Sequence, residues 1–170
     1  MAISEFQQKK KKLLVLLQGL PGSGKTDAVK KWIASNPHLT SQHLSIDEFF
    51  PSKYNPQLLD KARIELYILV VNSLKIGWEV IFVDDLHLRN IDVNRYVELV
   101  FYTEYKPVIW KIDTNADIIK SRNRTRYDYK EGMVTEVIID RYVKRIEVLN
   151  LDHVNATDIA FTIFLMRGKI

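Results

Sequence analysis

The chain has 170 residues, of which 46% are hydrophobic and 27% charged, and this composition predicts a globular domain with a real core, not a fibrous or disordered chain. It contains no cysteine, which excludes disulfides and thiolate metal sites and is compatible with a reducing cytoplasm. The formal net charge is +4, a mild bias that permits a polyanionic partner without requiring one.

The N-terminus is basic, and residues 1–12 are predicted to be flexible, ahead of a single domain over residues 13–170. The lysines at 9–12 precede the apolar run LLVLL, as in a signal peptide, but this short run leads into a glycine loop and not into a cleavage site. No apolar run approaches the roughly 20 residues that a membrane-spanning helix requires. We therefore expect a cytoplasmic protein, in the host cytoplasm if the chain is viral, with no membrane partner.

The first predicted unit is a strand followed by a helix. Residues 13–17 form a continuous apolar run, which suits a strand buried on both faces. A helix over residues 25–35 follows and is stopped by Pro37. Its apolar face is predicted to consist of Ala28, Val29, Trp32 and Ile33.

The second unit repeats this order with a longer helix. Residues 43–46 are predicted to form a short strand, and Pro51 and Pro56 mark a loop. The next helix, over residues 57–76, ends before Gly77. Its apolar stripe is predicted to run through Leu58, Ala62, Leu66 and Leu69.

The rest of the chain continues the alternation. A strand over residues 79–85 ends in two carboxylates, and Thr114, followed by Asp117, is predicted to cap a later helix. The helix over residues 91–105 is predicted to present one apolar side, made of Tyr96, Val97, Val100 and Phe101. The remaining predicted elements are a strand over 107–112, a helix over 133–150 and a last strand over 159–165.

Apolar strands that alternate with amphipathic helices predict an α/β fold, a three-layer sandwich with a central, mostly parallel sheet. In such sheets ligands bind beyond the carboxyl ends of the strands. Polar groups follow the predicted strands at this edge, namely the glycine loop, Asp47, Asp84 with Asp85, and Asp113.

The stretch GLPGSGKT, residues 19–26, matches G-x-x-x-x-G-K-[ST], the pattern of a P-loop whose backbone N–H groups wrap phosphates. The buried strand before it and the helix after it favour this interpretation over a chance glycine turn. Lys25 is expected to reach the β- and γ-phosphates of ATP or GTP, and the Thr26 hydroxyl to ligate Mg²⁺. The predicted nucleotide-binding residues are Gly19, Leu20, Pro21, Gly22, Ser23, Gly24, Lys25, Thr26 and Asp27.

Asp27 departs from the usual loop, because a hydroxyl residue often holds the α-phosphate at this position. A carboxylate so close to phosphate oxygens repels them unless it points away or meets a cation. We therefore expect Asp27 to weaken nucleotide affinity or to alter the choice of donor.

Transfer of a phosphoryl group to a hydroxyl requires a carboxylate that takes the acceptor's proton. Asp47 follows the second strand and is predicted to be this base, with a helix N-cap as the alternative. Asp84 is expected to hold Mg²⁺ through water, and Asp85 could cap the next turn. His87 lies nearby, but a lone histidine is more often a packing or surface residue, so it receives no chemistry.

The segment KSRNRTRYDYK, residues 120–130, is the densest basic stretch beyond the N-terminus. It is either a solvated loop between two helices or a lid. In a phosphotransferase, Arg122 and Arg126 of such a lid would close over the donor and stabilise charge in the transition state. The P-loop creates a need for cations and therefore favours the lid.

From Leu13 to Glu147 the chain resembles the kinase domain of the phage-type 5′-hydroxyl polynucleotide kinases, a P-loop kinase fold with an arginine-bearing lid. The landmarks are GLPGSGKT, NPHLTSQHLSIDEF, VIFVDDLHLRN and DTNADIIKSRNRTR. The resemblance implies transfer of the γ-phosphate of ATP to the 5′-OH end of DNA or RNA. It makes Asp47 the general base and Arg126 the essential lid arginine, with Arg122 as its neighbour, and gives Asp84 a part in ordering the acceptor site.

The chain departs from this family on the acceptor side. The family often has an arginine three residues after the base, and this chain has Phe50 there. Stacking of Phe49 or Phe50 on a terminal base, with Lys53 as the cation, is the expected substitute. The acceptor-binding residues are accordingly predicted to be Asp47, Phe49, Phe50, Lys53, Asp84 and Asp85. No D-x-D-G-T motif is present, so no phosphatase activity is expected.

Two alternatives remain open from the sequence. A P-loop kinase could act on a small hydroxyl acceptor such as a nucleoside, sugar or modified base, and a nucleotide-binding or ATPase module would transfer no phosphate to an alcohol. The choice between DNA and RNA, the choice between ATP and GTP, and membership of a larger repair or ligase assembly are likewise open.

Overall fold

The computed structural model describes residues 12–50, 56–126 and 135–146. Within them, four strands form one sheet in the spatial order β2-β3-β1-β4, and every neighbouring pair is parallel. β1 lies inside the sheet, as its unbroken apolar run predicts. The strands are β1 (Lys12–Gln18), β2 (Ser41–Ser45), β3 (Val80–Asp84) and β4 (Tyr105–Lys111).

Five α-helices accompany this sheet in the described residues. Short 3-10 helices over Ile46–Phe49 and Pro56–Leu58 lie between β2 and the second α-helix. The α-helices are α1 (Lys25–Ser35), α2 (Leu59–Ile76), α3 (Asn90–Val100), α4 (Ala116–Arg126) and α5 (Glu136–Arg145).

Alternate residues of β1 point to the two faces of the sheet and enter two apolar clusters. Leu14 and Leu16 are fully buried on the face covered by α2 and α3, where Leu66 and Tyr96 pack. Val15 and Leu17 are buried on the opposite face, under α1. These two clusters confirm the predicted three-layer α/β sandwich.

The predicted helix over residues 91–105 is too long at its C-terminal end. α3 ends at Val100 and Tyr105 begins β4. The Thr103 hydroxyl donates to the Val100 carbonyl and accepts the N–H of Tyr105 at 3.1 Å, which closes a turn between helix and strand. Phe101, predicted on the buried face, is 57% exposed.

The second unit also differs at its edges. Ile46 belongs to the 3-10 helix and not to the strand, and Leu58, which precedes α2, is exposed. Of the predicted stripe of α2, Ala62 and Leu66 are buried and Leu69 packs on the core cluster, and Val70 and Ser73 extend the buried face. Gly77 ends the helix in the left-handed conformation, with φ of 90°, as its position predicts.

The basic stretch is not a loop at its start, because its residues 120–126 lie in α4. The cap of this helix is Asn115 and not Thr114. The Asn115 side-chain oxygen accepts the N–H of Asp117 at 2.8 Å, whereas the Thr114 hydroxyl donates to the Ser23 carbonyl, also at 2.8 Å. Long-range contact with the P-loop thus removes Thr114 from the local capping role.

Several predictions lie outside the described residues. These are the flexible segment up to residue 11, Lys53, the strand over 159–165 and the part of the predicted last helix beyond residue 146. Lys12, assigned to the flexible segment, already belongs to β1, and α5 begins after Thr135, whose hydroxyl accepts the N–H of Ile138. In the described part of the chain, no helix has both the length and the apolar character of a membrane span.

Candidate active site

The P-loop joins β1 to α1 in a conformation that only glycine tolerates easily. Gly22 and Gly24 have φ of 84° and 95°, in the left-handed region. A Cβ atom on Gly19 would lie 2.7 Å from Ser23 Oγ. The loop therefore turns tightly, and the N-terminus of α1 begins at its end, where backbone N–H groups and the helix dipole favour an anion.

Lys25 is nearly buried and lies against the loop. Its Nζ donates to the carbonyls of Gly19 and Leu20 at 3.0 and 3.2 Å. The ammonium is therefore held at the loop itself, close to where the loop's backbone would meet phosphate oxygens.

Thr26, Asp84 and His43 converge at the carboxyl ends of β2 and β3. The Thr26 hydroxyl donates to Asp84 Oδ2 at 2.8 Å, and His43 Nε2 lies 3.1 Å from the same oxygen. Burial acts to raise the pKa of Asp84, but the hydrogen bonds from His43 and Thr26 and the charge of Lys25 together hold that pKa below its ordinary value. Asp84 is therefore an ionised carboxylate beside the P-loop.

Asp85 is also buried, but it faces other partners. Its Oδ1 accepts the N–H of the adjacent Leu86 at 2.7 Å, and Arg63 Nε donates to its Oδ2 at 3.4 Å. No helix or turn begins at Leu86, so Asp85 does not have the predicted capping role. The two adjacent carboxylates are thus divided: Asp84 faces the P-loop, and Asp85 orients an arginine from α2.

A single cleft of about 760 Å³ connects these groups. It reaches from the P-loop to the 3-10 helix after β2, and its walls include both acids and bases. The predicted site residues that line it are Pro21, Gly22, Gly24, Lys25, Thr26, Asp27, Asp47, Phe50, Asp84, Asp85 and Arg122.

Other predicted site residues lie away from the cleft lining. Gly19 and Ser23 lie against each other and do not line the cleft. Leu20 is buried in an apolar cluster with Ile119 and Ile139. Phe49 is half-buried and packs on the main core cluster. Lys53 and the side chain of Arg126 lie outside the described residues.

Asp47 lies in the first turn of the 3-10 helix Ile46–Phe49 and is exposed in the cleft. The N-cap of this short helix is Ser45, whose hydroxyl accepts the N–H of Asp47 at 3.3 Å. The alternative in which Asp47 serves as the cap is therefore wrong.

The basic side chains of α4 separate into two groups. Lys120 pairs with Asp140 at 2.8 Å, and Arg124 pairs with Glu136, so both bind α5. Arg122 instead lines the cleft and donates to the carbonyl of Gly22 at 3.2 Å. Only part of the basic stretch is therefore directed to the P-loop.

The polar residues at or beside the cleft that the sequence reasoning missed include three arginines, a histidine and an asparagine. Arg63, Arg89 and Arg145 line it from α2, from the start of α3 and from the end of α5. His43 binds Asp84, and Asn123 binds the P-loop carbonyl of Pro21 at 2.9 Å. No local pattern distinguishes these side chains from ordinary surface charges, because only the packing of distant elements brings them together.

His87 is a buried packing residue. Its Nδ1 lies 2.7 Å from the Leu17 carbonyl, and its ring meets Tyr96 edge-on with centroids 5.6 Å apart. Burial lowers the pKa of His87 below its ordinary value. The imidazole is thus a neutral link between the end of β1 and the β3–α3 connection.

The described residues contain no group of three or more His, Cys, Asp or Glu side chains arranged to hold a metal ion. The pair Thr26 and Asp84 nevertheless fits Mg²⁺, because this ion prefers oxygen ligands and keeps several waters when one or two protein groups bind it beside phosphates. The ionised state of Asp84 suits that role.

The chain matches a family described as AAA domain over residues 14–149. Among solved structures, it matches a chain of the Pnkp1/Rnl/Hen1 RNA repair complex with 18% identity and a TM-score of 0.65, covering 84% of this chain and 46% of that one. Our chain thus spans less than half of that relative.

Two further structures share the fold. Kti12 from Chaetomium thermophilum, solved in complex with ADP-AlF3, has 15% identity and a TM-score of 0.64, with 92% of this chain and 98% of that chain covered. A gluconokinase from Sinorhizobium meliloti 1021 has 13% identity and a TM-score of 0.54, with 84% and 78% covered. At these identities the similarity establishes the fold alone.

Proposed function

Because the chain belongs to the AAA_33 family of AAA domains and has a kinase-like P-loop domain, we propose that it transfers the γ-phosphate of ATP, or of GTP, to the 5′-OH end of DNA or RNA. The observation that carries this proposal is the single cleft that joins Lys25 and Thr26 to Asp47. A nucleotide switch has no need of an exposed carboxylate in the cleft that its phosphate loop lines, whereas a kinase needs one to accept the acceptor's proton.

The donor half of the cleft consists of residues 19–27, Asp84 and Arg122. The loop N–H groups and Lys25 hold the β- and γ-phosphates, and Thr26 and Asp84, the latter through water, are the residues that would hold Mg²⁺. When bound, this ion neutralises charge on the two terminal phosphates. Arg122, with Arg126 as a further lid cation, stabilises charge that develops on the transferred group.

The acceptor half consists of Asp47, Phe50, Arg63, Asp85 and Arg89. Asp47 takes the proton of the 5′-hydroxyl. At the same time the hydroxyl oxygen forms a bond to the γ-phosphorus, and the bond between the γ-phosphorus and the β-phosphate oxygen breaks. The nucleoside diphosphate leaves with that oxygen. Phe50 offers a face for a terminal base, and Phe49 and Lys53 stay part of the proposed acceptor side.

The arginines of the acceptor half support a polyanionic acceptor. Arg63 and Arg89 line the cleft and are each held by a carboxylate, Asp85 at 3.4 Å and Asp92 at 2.9 Å. Arg145 lines the cleft from α5. Guanidinium groups that are oriented by carboxylates are suited to phosphate recognition.

A small hydroxyl acceptor is the second candidate. Apolar side chains share the cleft with the arginines and could enclose a compact substrate, namely Leu59, Leu86, Leu88, Ile138 and Tyr142. The fold shared with a gluconokinase is compatible with this candidate. The third candidate is an ATPase module that has no alcohol acceptor. The proposal of a polynucleotide kinase also includes membership of a repair or ligase assembly in the cytoplasm.

A transfer assay tests the proposal. The protein is incubated with Mg²⁺ and γ-labelled ATP or GTP, together with 5′-OH DNA and RNA oligonucleotides, nucleosides and gluconate. We expect label on an oligonucleotide end. Label on a small acceptor alone would favour the second candidate, and release of inorganic phosphate alone would favour the ATPase.

Asp47→Asn is the matching variant. We expect transfer to fall about a hundredfold to ten-thousandfold, because the proton acceptor is lost, while nucleotide binding persists. Glu48→Gln is the control, since Glu48 is the neighbouring exposed acid and does not line the cleft. Equal transfer by both variants would overturn the role of Asp47.

A further inference from the structure

Three consecutive carbonyl groups of the P-loop are bound from outside the loop. Asn123 Nδ2 donates to the Pro21 carbonyl at 2.9 Å. Thr114 Oγ1 donates to the Ser23 carbonyl at 2.8 Å, and Arg122 Nη1 lies 3.2 Å from the Gly22 carbonyl. All three donors come from α4 or from the segment that leads into it.

The geometry of the peptide group links each bound carbonyl to the direction of the next residue's N–H group. In a trans peptide the C=O of one residue and the N–H of the next point in opposite directions, and no cis peptide occurs in the described residues. A donor that holds the Pro21 carbonyl therefore turns the Gly22 N–H away from α4. In the same way Thr114 turns the Gly24 N–H away from itself.

The peptide between Gly22 and Ser23 behaves differently. The N–H of Ser23 donates to the Leu20 carbonyl at 3.0 Å, inside the loop. Gly22 and Gly24 both line the cleft. The two N–H groups that the outside contacts orient thus belong to the residues at which a phosphate would meet the backbone.

Asn123 is built into this position. It is 2% exposed, and its Nδ2 also donates to the Ile119 carbonyl of its own helix at 2.9 Å, which fixes the orientation of the amide. A Cβ atom on Gly22 would lie 2.7 Å from the same nitrogen. The amide therefore fills the space that the glycine leaves, and helix and loop are closely fitted.

We propose that Asn123 and Thr114 are positioning residues that aim the Gly22 and Gly24 N–H groups at the donor's phosphates, with Asn123 as the principal one. Through these contacts α4 and the loop move as one unit. Arg122, the neighbour of Asn123, is thereby delivered to the donor side together with the N–H groups.

The inference rests on the donor binding proposed above, but the test measures binding without any acceptor, so its outcome does not depend on phosphate transfer to an alcohol. The probes are Mg-ATP and inorganic tripolyphosphate with Mg²⁺, titrated by calorimetry into the wild-type protein, Asn123→Leu and Thr114→Val. Asn94→Leu is the matched control, because Asn94 is an exposed helical asparagine that does not line the cleft.

We expect Asn123→Leu to weaken the binding of both probes by about tenfold to a hundredfold, because the Pro21 carbonyl loses its buried donor. Thr114→Val should weaken both by a smaller factor, and Asn94→Leu should leave both unchanged. The parallel loss for tripolyphosphate identifies an effect on phosphate recognition, since this probe has neither base nor ribose.

Two results would overturn the proposal. One is wild-type affinity for both probes in a folded Asn123→Leu protein. The other is weaker binding of Mg-ATP with unchanged binding of tripolyphosphate, which would move the role of Asn123 to the base or the ribose. If circular dichroism shows that Asn123→Leu does not fold, Thr114→Val, which scarcely changes side-chain volume, decides by the same two criteria.

Discussion

The two halves of the cleft are built in different ways. The proposed donor half is built around one run of nine residues, 19–27, whose backbone is held by side-chain contacts from α4 and from Thr114. The proposed acceptor half draws Asp47, Arg63, and Asp85 with Arg89 from three separate parts of the chain. Ion pairs orient two of its arginines, Arg63 with Asp85 and Arg89 with Asp92.

Because of this difference, we expect the donor half to keep its structure when single residues change, and the acceptor half to determine which substrate is bound. Backbone groups fixed by many contacts give a donor site that changes little when single surface residues change. Side chains that are oriented by ion pairs can be replaced one at a time, so the proposed acceptor half is where specificity can vary. Substitutions in the donor half should therefore affect nucleotide binding, and those in the acceptor half should leave it intact.

Within the proposed donor half, the largest effect is expected for Lys25→Met. Loss of the cation beside the β- and γ-phosphates should lower phosphate transfer or nucleotide turnover by about a hundredfold to a thousandfold. The measurement is the initial rate with saturating acceptor. Lys31→Met, at an exposed position of α1 away from the cleft, is the control, and a similar loss in both variants would contradict the assignment.

Arg63→Gln should weaken binding of the acceptor and leave binding of the nucleotide unchanged. We expect the KM for an oligonucleotide acceptor to rise about tenfold to a hundredfold, since a hydrogen bond to a charged group is lost, while the KM for the nucleoside triphosphate is unchanged. Arg63→Lys should recover part of the loss. Arg141→Gln, on an exposed position of α5, serves as the control.

A rise in the KM of both substrates for Arg63→Gln would break the division between the halves. A rise that is equal for an oligonucleotide and for an uncharged nucleoside would show instead that Arg63 does not recognise phosphate. Steady-state kinetics with the two acceptors distinguish these results.

Asp27→Ser should give a smaller effect of opposite sign. Asp27 is exposed in the cleft, and removal of a negative charge near phosphate oxygens should lower the dissociation constant of Mg-ATP about fivefold, the size of a Coulomb repulsion of about 1 kcal/mol. Asp60→Ser, in the exposed first turn of α2, is the control. Weaker binding by Asp27→Ser would mean that this carboxylate holds a cation that the donor needs.

The last effect is on stability and not on activity, and it concerns His87, which links the end of β1 to the β3–α3 connection. Burial holds the pKa of His87 below its ordinary 6.5. Below that pH the unfolded chain therefore binds a proton at this histidine, whereas the folded chain does not. This contribution to stability is fully present above about pH 6.5 and declines as the pH falls, by at most about 1.4 kcal/mol per pH unit.

His87→Gln should therefore flatten the decline of unfolding free energy between pH 7.5 and pH 5.5, measured by urea denaturation. His38→Gln is the control, because it removes a histidine at an exposed position after α1 and leaves the buried His87 in place. An unchanged slope in His87→Gln would contradict the neutral, buried state of His87.

Most of the fold and the position of the P-loop were predictable from the sequence. The apolar run of β1 and the spacing of Gly19, Lys25 and Thr26 are local patterns, and local patterns specify strands, tight turns and helix starts. The carboxylates at the ends of predicted parallel strands were also found, since these ends meet at one edge of a sheet.

The tertiary structure decided which charged side chains face the cleft. Lys120 and Arg124 turn to α5 while Arg122 turns to the loop, although all belong to one basic stretch. Arg63 reaches Asp85 only because α2 packs beside β3, and the cap of α4 passes to Asn115 because Thr114 is engaged by the loop. Such partners are far apart in sequence, and their contacts depend on packing that no local pattern encodes.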